Sequence, residues 1–317
     1  MRVAVLRTFR QPLTLEDWPI PEVQGEEVLV RVLGAGVCHT DVHMAEGALP
    51  DLPLPLILGH EIAGYADGVG NVLVFASWGC GECELCRRGD EQLCSRAREP
   101  GWKRHGGYAE YVVVPSARYL LPLNELDPAH AAPLADAGVT AYRAVRRVRH
   151  VLRDGDTAVV IGVGGLGQFA VQFLRLLTSA RIVALDRNPR QLTRALAFGA
   201  DLALSAADFE GPARVVLDFV GSDDTLRFAA GILEPGGAVV QIGEAGGRIP
   251  FGLDAVPHEA IFTTSIWGSM EDLNAVLECA RTGKIVWNVD YMRLGEANAA
   301  LERVRRGEVC GRVVLLP

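Results

Sequence analysis

The pattern of apolar and polar positions changes character part-way along the chain. Up to about residue 140, apolar residues fall in short alternating runs such as Glu27–Val32 (EVLVRV) and Tyr108–Pro115 (YAEYVVVP). Proline and glycine clusters such as LPDLPLPLILGHE break these runs. A period of two predicts half-buried strands, and many of them at close spacing predict a barrel-like or open β-rich unit. From about residue 155 the runs are continuous. Thr157–Ile161 (TAVVI) predicts a buried strand, Gly162–Gly167 (GVGGLG) a tight turn, and Gln168–Leu177 a helix. A strand over Ile182–Leu185 follows, ending in Asp186. Asn188 then caps a second helix with Pro189 in its first position and Leu192 and Leu196 on one face. Strands at Val215–Leu217 and Ala238–Ile242, a helix after Ser222, and a helix over Asp272–Ala280 closed by Gly283 continue the alternation. Strands alternating with helices predict a parallel, doubly wound sheet. Beyond about residue 286 the pattern is mixed and ends in Val313–Leu316, a closing strand for the first domain. The fold class read from the pattern is α/β plus β. Its expected spans are 1–140 for a β-rich domain, 141–285 for a doubly wound domain and 286–317 for a return to the first.

Length and charge narrow the picture. At 317 residues the chain exceeds the usual size of one domain. A formal net charge of −8 argues against nucleic acid as the main partner. Arginine supplies nearly all the cationic residues, since only Lys103 and Lys284 are lysines. Arg143, Arg146, Arg147, Arg149 and Arg153 read as the solvated face of a connecting helix. The opening MRVAVLRTFRQPLTLEDWP has neither the apolar core nor the cleavage site of a secretory leader. The longest apolar run, Ala158–Gly167, is too short to span a membrane. A cytoplasmic protein is therefore expected, with no membrane partner, and clustered cysteines there read as metal ligands.

Four of the seven cysteines, Cys80, Cys83, Cys86 and Cys94, form C-x2-C-x2-C-x7-C. Thiolates at this spacing suit a closed, structural zinc site with no position open to substrate. Cys279 and Cys310 fit no such set and read as packing or surface residues. In the glycine-rich turn, Gly162, Gly164, Gly165 and Gly167, with Leu166 among them, follow a strand and open a helix. That context predicts a dinucleotide pyrophosphate on the helix N-terminus. Asp186 would accept the adenosine ribose hydroxyls and favour NAD over NADP, and Arg187 beside it would soften that preference. A third constellation is dispersed: Cys38-His39-Thr40-Asp41-x-His43, then Gly59-His60-Glu61, then Asp136. Together they offer a thiolate, an imidazole and a carboxylate, the donor types of a catalytic zinc with one open position.

With the cysteine quartet, CHTDVH, LGHEIAG (Leu58 to Gly64) and GVGGLG in this order, the chain resembles the zinc-dependent alcohol dehydrogenases of the medium-chain dehydrogenase/reductase superfamily. PLADAGVTAYRAV, LDFVGS and the terminal GRVVLLP extend the resemblance over nearly the whole chain. It is greatest to bacterial NAD-linked secondary alcohol dehydrogenases that carry aspartate in place of the second cysteine ligand. The resemblance implies a GroES-like catalytic domain beside a Rossmann domain, and NAD and two zinc ions per chain as cofactors. It implies that Cys38, His60 and Asp136 hold the catalytic zinc, that Asp41 orients His60, and that Glu61 lies near the metal and ligates it transiently; the alternative for Glu61 is a buried carboxylate paired with an arginine. Thr40 would take the alcohol proton and pass it through the nicotinamide ribose to His43. His39 stands where many relatives have a phosphate-binding arginine, Arg312 matches an arginine that contacts the pyrophosphate, and Trp267 matches a region near the nicotinamide. The implied function is hydride transfer between a small or apolar alcohol and NAD, giving a ketone or aldehyde, by a homotetramer or homodimer. The alternatives are a polyol or sugar dehydrogenase of the same superfamily, and a non-catalytic NAD- and zinc-binding sensor. Two departures stand out: the short stretch between Gly64 and Cys80, and aspartate as the third ligand, a harder donor than thiolate.

Overall fold

The alternating runs of the first 140 residues pair as antiparallel strands around one long strand, Val28–Val37. The computed structural model describes residues 1–49 and 51–317. The chain divides into two units: 1–139 with 269–282 and 288–317, and 140–268 with 283–287.

In the first unit, Val28–Val37 serves three partners at different stretches. Its start pairs with Tyr111–Val114, its middle and end with Glu61–Ala66, and its last residues with Arg312–Leu316. The register shifts between Val32 and Gly34, and a Cβ on Gly34 would come within 2.7 Å of the Ala129 backbone. A bulge at a glycine bends the strand, which is how one strand can serve several neighbours. The sheet runs Val289–Arg293, Arg312–Leu316, Val28–Val37, Glu61–Ala66, Gly70–Val74, Leu120–Pro122. A smaller sheet sets Arg2–Leu6 between Thr14–Asp17 and Leu56–Ile57. The strand expected over 108–115 is shorter, Tyr111–Val114, because residues 106–108 turn to a different partner. The N–H groups of Gly106, Gly107 and Tyr108 donate to the carbonyls of Ile57, Gly59 and Leu58 at 2.8–3.0 Å.

The helix expected over 272–280 runs Met270–Arg281, and Ser269 and Asp272 close a capping box at its start. Its grouping departs from the expected span 141–285, because it belongs to the first unit. The reason is packing: Val276 and Leu134 close on Gly138, where a Cβ would lie 3.1 Å from each.

The second unit is a parallel six-stranded sheet in the order Leu202–Leu204, Arg181–Leu185, Thr157–Ile161, Ala213–Asp218, Leu233–Gln241, Ile261–Thr264. Its inner strands carry almost unbroken apolar runs, as a sheet covered on both faces requires. Val159, Ile161, Val183, Leu185, Val216 and Val239 form its buried centre. Helices Gly167–Leu177, Pro189–Ala197 and Asp223–Ile232 alternate with the strands, and Asn188 and Ser222 cap the second and third. The segment 283–287 is tied to the first of these helices by a two-way bond. Gln172 Nε2 donates to the Val286 carbonyl at 2.9 Å, and Val286 N–H donates to Gln172 Oε1 at 2.8 Å. Of the five arginines expected on a solvated helix face, Arg147, Arg149 and Arg153 are exposed, whereas Arg143 and Arg146 are half-buried.

Phe169 anchors this unit. It is fully buried, stacks on Phe173 with ring centroids 6.4 Å apart, and meets Trp287 at 5.9 Å. Phe169→Ala is expected to lower stability by about 3–5 kcal/mol through lost burial and the cavity left behind. Urea unfolding followed by circular dichroism checks this, and an unchanged midpoint would contradict it.

Candidate active site

The four clustered cysteines are brought together by a loop and one short helix. Cys83 caps helix Glu84–Arg87 and its sulfur accepts the Cys86 N–H at 3.5 Å. The sulfur separations are 3.5 Å for Cys83–Cys86, 3.8 Å for Cys83–Cys94 and 3.9 Å for Cys80–Cys86. A tetrahedral zinc with Zn–S near 2.3 Å sets sulfurs about 3.8 Å apart, whereas a disulfide needs about 2.05 Å. All seven cysteines are free thiols. Burial pushes the Cys86 thiol up to about 12, while backbone N–H groups of Glu82 and Cys83 bring Cys80 down to about 6. Ionising the whole quartet therefore calls for a cation among the sulfurs. The lobe has little apolar matter of its own: Cys86, Cys94 and Ala97 are its buried cluster. Glu91 fastens it to the unit, accepting from Gly79 N–H at 3.1 Å, Tyr119 hydroxyl at 3.1 Å and Arg118 at 3.2 Å.

A second donor set lies within the same unit. One ligand-type atom each from Cys38, His60 and Asp136 lie within 4.8 Å of one another, and all three residues are buried. Cys38 follows the strand Val28–Val37 and His60 precedes the strand Glu61–Ala66. These strands pair with Gly36 opposite Glu61, so the register places the thiol beside the imidazole. Asp136 comes from the turn before helix Ala137–Val148. Cys38 Sγ and His60 Nε2 stand 3.4 and 3.5 Å from Asp136 Oδ2, separations that a shared tetrahedral zinc imposes. The other imidazole nitrogen, Nδ1, faces Asp41 Oδ1 at 3.5 Å. Asp41 is fully buried and accepts from Cys38 N–H at 2.9 Å, Tyr108 hydroxyl at 2.9 Å and Gly59 N–H at 3.2 Å. Tyr108 is a residue that the sequence pattern offered only as part of a strand. Burial and the Asp41 charge keep its hydroxyl protonated.

Glu61 is fully buried and ion-paired with Arg312, and its Oε1 also accepts the Ala137 N–H at 3.3 Å. Burial, against the pull of Arg312, pushes its carboxyl up to about 7. A Cβ on Gly36 would collide with this carboxylate, so the glycine makes room for it. Arg312 is 5% exposed, and its guanidinium pairs with Glu61. Thr40 and His43 sit on helix His39–Ala45; both are half-buried, and Thr40 Oγ1 lies 3.5 Å from Cys38 Sγ. His39 is exposed, and its ring lies 4.9 Å from that of His43.

The second unit carries the dinucleotide-type turn. Gly162 has φ +82°, a Cβ on Gly167 would overlap the Gly162 carbonyl, and a Cβ on Gly164 would meet only open space. Gly164 therefore leaves the backbone bare where a pyrophosphate would approach. Leu166 precedes helix Gly167–Leu177 with no side-chain cap, so the first N–H groups are free of one. Gln168 Nε2 donates to the Gly165 carbonyl at 3.1 Å. Asp186 Oδ2 accepts the Val163 N–H and Oδ1 the Asn188 N–H, both at 2.8 Å. Arg187 beside it is exposed.

A GroES-like β unit together with a doubly wound parallel sheet and two zinc-type donor sets defines the medium-chain dehydrogenase/reductase class. Residues 24–125 match the alcohol dehydrogenase GroES-like domain and residues 165–282 the zinc-binding dehydrogenase family. A D-arabinose 1-dehydrogenase (NADP(+)) of Saccharolobus solfataricus is 36% identical over 340 residues, covering 100% of this chain and 97% of that protein. An NAD-dependent alcohol dehydrogenase of Sulfurisphaera tokodaii is 36% identical over 349 residues, covering 100% of both. The solved alcohol dehydrogenase of the hyperthermophilic archaeon Aeropyrum pernix superposes with a TM-score of 0.93 at 35% identity, covering 100% of both chains. The chain belongs to the zinc-binding alcohol dehydrogenases of this superfamily, and it is an oxidoreductase of that type.

The glycine geometry separates two effects. Gly164→Ala should weaken NADH binding at least tenfold, read by fluorescence titration, with the unfolding midpoint unchanged. Gly167→Ala should lower both, because its Cβ strikes backbone.

Proposed function

We propose that this protein transfers hydride between an alcohol and NAD, giving a ketone or aldehyde, with Cys38, His60 and Asp136 holding a catalytic zinc. The observation that carries the reading is the convergence of a buried thiol, imidazole and carboxylate from three distant segments onto one point. Three protein donors at Cys38, His60 and Asp136 would leave a zinc open to substrate, whereas the quartet Cys80, Cys83, Cys86 and Cys94 would hold a structural zinc with no such opening. When bound, zinc supplies a Lewis acid for the substrate oxygen and NAD supplies the hydride acceptor. The chain supplies the rest. Thr40, with its hydroxyl beside Cys38, takes the alcohol proton, and His43 one turn further along the same helix carries it onward. The pyrophosphate is cradled by the turn from Gly162 to Gly167, with Gly165 and Leu166 in its path, and Asp186 accepts the ribose hydroxyls. Arg187 softens the exclusion of a 2′-phosphate. Glu61 would be a transient ligand next to His60, held in place by Arg312.

A polyol or sugar substrate is the second reading, favoured by the D-arabinose relative. The sensor reading is disfavoured, since a protein without turnover needs no proton path through Thr40 and His43. We place the enzyme in the cytoplasm as a homodimer or homotetramer. Among the described residues no helix is long and apolar enough to cross a membrane. Strand Ile261–Thr264 ends its sheet with Ile261 exposed, and Phe251 and Leu253 are exposed at 78% and 88%, apolar surface of the kind a second copy covers.

Two measurements test the core of this reading. Metal analysis should find two zinc ions per chain; one ion would overturn the catalytic assignment. Asp136→Ala should abolish NAD reduction and lose one ion while the fold survives, whereas Cys83→Ser should lose the other and unfold first. Absorbance at the NADH band over a panel of apolar alcohols and polyols, repeated with NADP, then decides the substrate class.

A further inference from the structure

Four groups close on the Asp41 carboxylate, three by hydrogen bonds and His60 Nδ1 at 3.5 Å, and three of the four belong to the ligand segments themselves. Cys38 N–H and Gly59 N–H flank two of the zinc donors, and His60 Nδ1 is one donor's second nitrogen. The fourth, the Tyr108 hydroxyl on Oδ2, arrives from elsewhere in the chain. Its delivery is fixed by backbone. Residues 106–108 pair with residues 57–59, immediately before His60, and Tyr108 is fully buried. Gly59 at φ +92° presents no Cβ, and any Cβ there would overlap the Tyr108 ring. Gly101 and Gly106 pack on the Gly59 backbone from the other side, where a Cβ on either would strike it. The ring thus fills space against Gly59, while the hydroxyl does something that packing does not need.

We infer that Tyr108 is a positioning residue for the catalytic metal: its hydroxyl pins Asp41 Oδ2, so that Oδ1 fixes the His60 ring with Nε2 turned to the Asp136 carboxylate and the zinc. A carboxylate clasped only by two backbone N–H groups on different oxygens can rotate. One that also accepts a phenol hydroxyl is locked, and locked partners behind a metal-bound imidazole hold metal about 10–100-fold more tightly. The inference rests on the assignment of Cys38, His60 and Asp136 as zinc ligands.

The test is zinc release from the two-zinc protein to a colorimetric chelator, which should show a fast phase and a slow phase. Asp136→Ala identifies the catalytic ion by deleting one phase. Tyr108→Phe keeps the ring and should speed that phase about tenfold, leave the cysteine-lobe phase unchanged, and shift the visible spectrum of the cobalt-substituted protein. Asp41→Asn should speed the same phase at least as much, and adding Tyr108→Phe to it should add nothing, since the hydroxyl acts through Asp41. Equal rates for Tyr108→Phe and wild type, or an additive double variant, overturn the role of Tyr108 alone. Acceleration of both phases would mean general loosening and overturns it too. A wild-type protein with one zinc, unaffected by Asp136→Ala, would instead overturn the ligand assignment beneath it.

Discussion

Burying charge away from water is the constraint on which the first unit is built. Asp41, Glu61 and Asp136 are all nearly or wholly inaccessible, and Cys38 and His60 lie among them. An ion moved into a protein interior loses several kcal/mol of hydration that partners have to restore. Arg312 answers Glu61, and three N–H or O–H donors answer Asp41. The Cys38 thiol and His60 Nε2 both approach Asp136 Oδ2, at 3.4 and 3.5 Å, and the thiol contact turns repulsive once both groups are ionised. A divalent cation between them turns that repulsion into ligation. The donor set therefore has the chemistry of a group that could hold a metal ion.

The sheet exists in the form it does because it sets this cluster in register. Cys38 directly follows one strand and His60 directly precedes its neighbour, so the pairing of the two strands sets both ligands. A slip of one residue would carry one ligand to the far face and put a side chain where Gly36 gives way to Glu61. The bulge at Gly34 sits just before the paired ligand end, so the strand bends without disturbing the register that matters. Stability and chemistry here are one arrangement, not two.

How much of this the sequence announced depends on the range of the interaction. The cysteine quartet lies within fifteen positions, so its spacing alone marks a cluster of metal-type donors, and the glycine turn is legible because strand, turn and helix are contiguous. Asp41 was found beside Cys38 in CHTDVH. Tyr108 was not, because its bond to Asp41 spans 67 residues and a tyrosine in YAEYVVVP reads as an ordinary strand residue. The pairing of Glu61 with Arg312 spans 251 residues, and only the closing strand's antiparallel pairing with Val28–Val37 brings Arg312 into range. The helix Met270–Arg281 was legible as a helix but not as part of the first unit, since its apolar face records that it is covered and not by what.

Asp186 shows why cofactor choice and turn geometry cannot be separated in the second unit. A carboxylate at the end of this strand is usually read as a filter, repelling a 2′-phosphate and accepting ribose hydroxyls. Here each oxygen already accepts a backbone N–H, one from Val163 inside the glycine turn and one from Asn188 at the next helix cap. The same charge therefore braces two turns, and each oxygen keeps a lone pair for a ribose hydroxyl. A side chain without these two oxygens would leave the Val163 and Asn188 N–H groups without the acceptors that brace the turn. Asp186 is thus part of the brace of the turn, whereas Arg187 beside it is exposed and outside that brace.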